Sequence, residues 1–436
     1  MPYNIIIGRD ESDKKKFGEK GLIYIGKQYV QMGEMSSLSN KMFLDVARSH
    51  VVLIAGKRGS GKSYTIGAIA EELASLPEDV SVNIASVIFD TMGIFWTMKY
   101  ANNKEYELLK DWDLKAKKLP VKVFVPYGFY EDYEKRGLPI DEKFALSVSE
   151  LTADDWLITF NLSFTDPAGI VIQRAIEHLV EKKNNYDIDD IISAIEKQES
   201  YGSAKDAAVN FFYGAKTWGV FASKGMKETK TAEIVKAGGT AILDLSCYNS
   251  VGTFNVRALV IGLLCKKFFN ERMFARKAEE VLAVQKGIDY LNYKGEREMP
   301  LVWLFLDEGH EMLPKVGKTA ATDALIQVLR EGRQPGISLV IATQQPGQIH
   351  EDVMTQADVV ISHRVTSKPD IEALNLIMQN YLLTDVQSYM NSLPSLKGSA
   401  IILDDNSERI YPMRVRPRFT WHGGEAPTAI KVEKRI

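Results

Sequence analysis

One stretch constrains the fold more than any other. Val51-Val-Leu-Ile-Ala55 is a short apolar run, Gly56-Lys57-Arg58-Gly59-Ser60-Gly61-Lys62-Ser63 follows it, and Tyr64–Ala74 then carries apolar residues at helical spacing. A buried strand, a glycine-rich turn and a helix in succession belong to a sheet covered by helices. The turn fits G-x-x-x-x-G-K-[ST]. Its glycines let successive backbone N–H groups face phosphate oxygens, and the positive end of the following helix adds a favourable field. Gly56, Lys57, Arg58, Gly59, Ser60, Gly61, Lys62, Ser63 and Tyr64 are therefore the candidate nucleotide contacts. Lys62 would reach the β- and γ-phosphates, and the Ser63 hydroxyl would ligate Mg²⁺.

The rest of the chain extends this unit into an α/β fold. Apolar strand signals recur at Asn83–Phe89, Val121–Val125, Thr240–Leu245, Leu301–Leu306, Ser338–Ala342 and Val359–His363, with helical spacing at Thr253–Arg276 and from about Thr319. Buried strands alternating with helices indicate a mostly parallel sheet with helices on both faces. Ser399–Leu403 and Arg409–Val415 read as a closing hairpin around Asp404–Ser407. Residues 1–47 are expected to be a β-rich segment, with runs at Tyr3–Ile7 and Leu22–Val30 and a charged break at Asp10–Lys16. Residues 48–97 and 237–417 form the core. Between them, 98–236 is dense in charge and reads as a mainly helical insertion, with amphipathic helices at Val171–Lys182 and Ile188–Lys197. Residues 418–436 form a tail.

Two further strand ends carry chemistry. Trp303-Leu-Phe-Leu-Asp307-Glu308 is an apolar strand ending in two carboxylates, at the end where open α/β sheets place ligands. Asp307 is the candidate metal ligand, acting through the ion's water shell, and Glu308 the residue that polarises an attacking water. In Ser338-Leu-Val-Ile-Ala-Thr343-Gln344-Gln345-Pro346, Gln344 is placed to meet the γ-phosphate or that water, with Gln345 as the alternative. Arg330-Glu-Gly-Arg333-Gln-Pro-Gly336 supplies an arginine that can neutralise transition-state charge in a neighbouring subunit's site. Arg333 is the choice, with Arg330 and Arg364 behind it. The combination points to ATP hydrolysis with Mg²⁺. Its catalytic set is Lys62, Glu308, Gln344 and Arg333, and its metal set Ser63 and Asp307. His310 reads as a coupling residue or a helix-start polar group.

Composition removes other classes. Over 436 residues, 45% hydrophobic and 25% charged content excludes wholesale disorder and low-complexity fibres. A net charge of −3 excludes a polycationic nucleic-acid coat. Basic clusters at Lys266, Lys267, Arg272, Arg276 and Lys277, and at Lys224, Lys227 and Lys230, are candidate phosphate contacts or ordinary solvated faces. Cys247 and Cys265 are too few for a disulfide framework or a zinc site, and both are expected as buried thiols in a reducing compartment. No apolar run approaches the roughly 18 residues of a membrane helix, and no signal peptide is read, so no integral membrane segment and a cytoplasmic location are expected.

Taken in order, these elements resemble the HerA branch of the HerA/FtsK hexameric ATPases. The match runs through Arg48–Gly56 into the phosphate loop, Val87-Ile-Phe-Asp90, Gly239–Ser246, Leu306-Asp-Glu-Gly-His-Glu311, Arg330–Arg333, Ala342-Thr-Gln-Gln-Pro346 and Arg416-Pro-Arg-Phe-Thr-Trp-His422-Gly-Gly424. The resemblance implies a RecA-like P-loop core, a homo-oligomeric ring of six with ATP between subunits, and translocation of double-stranded DNA. It also implies a NurA-like nuclease partner in DNA-end processing. The chain departs from the family at Lys57 and Arg58, where small residues are usual, at Ile94, and in an abbreviated amino-terminal barrel. An ATPase motor for conjugative or secretion-type nucleoprotein transfer, and a non-motor ATP-dependent switch in a defence or viral system, are the alternatives.

Overall fold

The computed structural model describes residues 3–32, 35–182, 185–199, 202–248, 255–287, 297–378, 386–425 and 429. Within them, strands β1 (Ile5–Ile7), β2 (Leu22–Met32), β3 (Met35–Asp45), β4 (Val51–Ala55), β5 (Ile84–Asp90), β6 (Lys122–Pro126), β7 (Glu142–Phe144), β8 (Thr240–Asp244), β9 (Leu301–Leu306), β10 (Ile337–Thr343), β11 (Val359–His363), β12 (Ser399–Asp404) and β13 (Arg409–Val415) join one sheet. Their order is β1-β3-β2-β13-β12-β11-β4-β10-β9-β5-β8-β6-β7. From β11 to β7 all pairs are parallel. The central strands are buried on both faces, which is why they are aliphatic runs without alternation. Successive β4 residues show the layering. Val52 and Ile54 pack with Ile66 and Ile69 of the helix Lys62–Leu73, whereas Leu53 and Ala55 belong to the opposite core, which includes the long helix Val256–Gln285. This is the expected α/β, RecA-like arrangement with helices on both faces.

The flanks differ from expectation. The charged stretch after β1 is a helix, Glu11–Phe17, started by Asp10, whose side chain accepts from the Asp13 N–H. The leading strands form no closed barrel. β2 pairs with β13 through Gly26–Val415 and Lys27–Arg414, which makes them a continuation of the central sheet, and β1 is its edge. The region 98–236 contributes β6, the strand expected from the run Val121–Val125, and also β7, which was not expected; beyond them helices Pro167–Lys182, Ile188–Glu196 and Gly202–Lys216 pack together.

The long helix begins at Val256; Thr253, its expected start, lies outside the described residues, as do 426–428 and 430–436 of the tail. Its basic cluster is only partly a surface. Arg272 is fully buried and pairs with Glu279 at 3.0 Å, and Lys267 pairs with Glu150 at 2.6 Å. The helix runs through the core, so one flank of any cluster on it faces inward. Cys265 is buried and Cys247 only partly so. No helix among the described residues is long and apolar enough to cross a membrane.

Candidate nucleotide site

Parallel registry brings the chemistry to one edge of the sheet. Asp90 lies beside Asp244, Thr343 beside Ala55, and Leu306 beside both Phe89 and Ile341, so β4, β5, β8, β9 and β10 all end at about the same level. Six carboxyl ends, counting that of β11, thus line up on the side of the sheet that carries Gly56–Ser63.

The loop is pinned from behind. The Lys57 N–H donates to the Arg364 carbonyl at 2.9 Å, and the Ser60 N–H to the Lys57 carbonyl at 3.2 Å. A Cβ on Gly56 would lie 2.7 Å from His363 Cβ and 2.5 Å from Ser60 Oγ, so only glycine lets the loop leave β4 here. His363 is wholly buried, with Nδ1 3.1 Å from the Ser399 carbonyl and Nε2 2.9 Å from Thr65 Oγ1. Burial pushes its pKa down to about 4, so the ring is neutral; the carbonyl can only accept, which puts the proton on Nδ1. Sequence reasoning missed this support, because a histidine ending an apolar strand carries no local sign of what lies behind it.

Beyond the loop, the helix Lys62–Leu73 has neither a side-chain cap nor an acidic residue in its first turn. Its leading N–H groups are left for a ligand. Ser60 Oγ is buried without a partner. Lys62 Nζ reaches the Lys57 carbonyl at 3.3 Å; burial pulls its pKa down while Glu308 and Asp307 oppose that.

The two distant segments meet at the acids. Ser63 Oγ donates to Asp307 Oδ2 at 2.6 Å, and Asp307 Oδ1 accepts from the Glu308 N–H at 2.9 Å. Burial pushes Asp307 up, and these hydrogen bonds hold it back. Glu308 sits in the left-handed region at φ 53°, uncommon for a residue with a side chain. The Gln344 amide donates to its Oε1, and its Oε2 is buried with no hydrogen bond. Burial and the neighbouring Asp307 both raise Glu308. His310 Nδ1 lies 3.2 Å from Thr343 Oγ1 and 3.6 Å from Glu308 Oε2. Gln345 is exposed, so Gln344 is the amide at the acids.

The family model described as "Helicase HerA, central domain" matches residues 29–252, and "Helicase HerA-like C-terminal" matches 272–416. The chain belongs to the HerA/FtsK superfamily of P-loop ATPases. Among HerA-type proteins, it is 23% identical over 184 residues to the DNA double-strand break repair helicase HerA of Pyrococcus furiosus, covering 39% of this chain and 31% of that protein. It is 23% identical over 414 residues to a probable helicase of Methanocaldococcus jannaschii, MJ1565, covering 90% and 66%. The chain therefore spans less than two thirds of the length of both. In fold it is similar to VirB4 of Thermoanaerobacter pseudethanolicus, with TM-score 0.54, 10% identity and coverage of 91% and 96%. It is likewise similar to the bacterial conjugative coupling protein TrwB, with TM-score 0.50, 11% identity and coverage of 94% and 99%.

The donor set of this site fits Mg²⁺ and a triphosphate. The unpartnered Ser60 Oγ, the open helix start and the Ser63–Asp307 oxygen pair are what a phosphate chain and a hard cation require. The arginines separate. Arg333 is exposed in the turn before β10, at the opposite edge of the sheet. A seven-residue strand puts about 20 Å between it and the acids. Arg330 pairs with Asp352 at 2.8 Å. Arg364 lies behind the chain's own loop, donating to the Leu393 carbonyl at 2.6 Å.

A second assembly, also missed from sequence, braces this HerA-type site. Arg416–His422 crosses the helix Lys62–Leu73, where the buried Glu71 accepts from Arg416 Nη1 at 3.1 Å, Arg418 Nε at 2.9 Å, and the N–H groups of Phe419 and Thr420. A Cβ on Gly67 would lie 2.4 Å from the Arg418 guanidinium. The Tyr64 hydroxyl accepts from the Arg418 N–H at 2.7 Å and donates to Glu105 at 2.9 Å, so it is occupied by this brace.

Proposed function

We propose that the chain is an ATP-hydrolysing motor that works as an oligomer on DNA. The observation that carries this reading is the meeting of Ser63 and Asp307, 244 residues apart in sequence, at 2.6 Å, with Glu308 alongside. In this reading Gly56–Ser63 hold the phosphates, Lys62 neutralises them, and Ser63 and Asp307 hold Mg²⁺. The ion supplies charge neutralisation on the triphosphate. Glu308 takes the proton from the attacking water through its unpartnered Oε2, and Gln344 meets the γ-phosphate. Arg333, too far from its own loop, serves the nucleotide of the next subunit in a ring, taken from the family as six. Duplex DNA in the pore is gripped by phosphate contacts.

Between duties, the fold likeness to the bacterial conjugative coupling protein TrwB supports nucleoprotein transfer better than end processing with a NurA-like nuclease. Purified protein is expected to hydrolyse ATP several-fold faster with linear duplex DNA at low salt, with stimulation fading as salt rises. No response at low salt overturns the DNA assignment. Co-fractionation with membrane-bound transfer components favours the transfer duty; stimulation of a co-purifying nuclease favours end processing.

A further inference from the structure

We propose that Gln344 is a nucleotide-operated clamp on Glu308: in the nucleotide-free chain its amide holds the glutamate, and the γ-phosphate of ATP draws that amide away and releases the base. The inference rests on the ATPase reading of the site and adds its regulation.

Three observations carry it. The Gln344 amide donates directly to Glu308 Oε1. Glu308 Oε2 stays buried without a hydrogen bond, with His310 Nδ1 3.6 Å away, so the amide is the only hydrogen bond that the glutamate side chain makes among the described residues. The backbone just before the amide is fixed. The Thr343 carbonyl accepts from the Gly56 N–H at 3.3 Å, and Thr343 Oγ1 accepts from the Gln345 N–H at 3.0 Å while lying 3.2 Å from His310 Nδ1. Gln344 therefore leaves the sheet from an anchored point between the phosphate loop and Glu308, and only its side chain has room to choose.

A γ-phosphate carries more charge than a carboxylate and is the stronger acceptor for the same N–H. ADP has none and leaves the clamp closed. Once the cleaved phosphate departs, the amide recaptures Glu308, which limits the base to the triphosphate state.

The experiment is a fluorescence titration of the full chain with Mg²⁺ and MANT-labelled AMPPNP or ADP. Freeing Gln344 by Glu308→Ala is expected to raise the preference for AMPPNP over ADP by about tenfold, the worth of one hydrogen bond to a charged group. In a Gln344→Ala background the same substitution is expected to raise that preference by much less, leaving only the effect of the lost charge. Removing a negative charge near the phosphates acts with or without Gln344, so an equal effect in both backgrounds overturns the clamp. Should Glu308→Ala fail to fold by circular dichroism, Glu308→Asp, one methylene out of reach, carries the same expectation. A parent chain that binds neither nucleotide defeats the ATPase reading itself, a different result from nucleotide binding without dependence on Gln344.

Discussion

Two glutamates, Glu71 fully buried and Glu308 partly so, are treated in opposite ways. Glu71 is enclosed by two guanidinium groups, two backbone N–H groups and the Thr420 hydroxyl, with both oxygens supplied. Glu308 has one amide, one bare oxygen, a left-handed backbone and a carboxylate neighbour. Burying an ion without partners is expensive, so the fold supplies them wherever it can. The contrast separates charge that holds the protein together from charge held ready for a ligand.

The comparison breaks first at Glu308. Glu308→Gln keeps the size and the amide contact but removes the proton acceptor, so turnover should fall about 10²–10⁴-fold while nucleotide still binds. Steady-state hydrolysis and equilibrium binding on the same preparation decide this, and unchanged turnover would show that the base is another group. Glu71→Ala should do the reverse, leaving the buried Arg418 without a carboxylate and Arg416 with Glu72 alone, at a cost of about 3–5 kcal/mol in stability. Denaturant titration measures it. A loss near zero would mean that the brace is not a structural charge cluster.

A third buried charge sharpens the contrast through pH. His50 is enclosed between Asp358, at 2.7 Å, and Asp45, at 3.2 Å. Burial alone disfavours its charge, but these two carboxylates outweigh burial and hold it up to about 9. Because the folded value exceeds the unfolded 6.5, the pair's contribution, about 3 kcal/mol, is complete below pH 6.5 and is lost as pH rises through 9. The denaturation midpoint of the parent should fall over that range, and a His50→Gln variant should lack this fall.

The legible parts were those whose signal is local. Central strands announce themselves because both faces are buried, and β4 and β11 coincide with the apolar runs Val51–Ala55 and Val359–His363. The phosphate loop, Asp307 and Glu308 follow from what stands next to a strand end. Glu71 was invisible for the opposite reason: its partner Arg416 is 345 residues away, and an acid near the end of an apolar helix says nothing of who will meet it. His363 was missed on the same ground. The helix Glu11–Phe17 hid behind its charges, although Asp10 three residues before Asp13 is an ordinary cap. Arg272 was misplaced because a cluster read in one dimension does not reveal which side of a helix turns inward.

The position of Arg333 has one more consequence. A molecule with its phosphate cradle on one rim and an exposed arginine on the other has two different poles. If the arginine meets a triphosphate at all, the triphosphate belongs to another copy, and the contact between copies is head-to-tail. Such contacts have no twofold symmetry to stop at a pair: they close on themselves when the rotation between neighbours divides the circle, and run on as a filament when it does not.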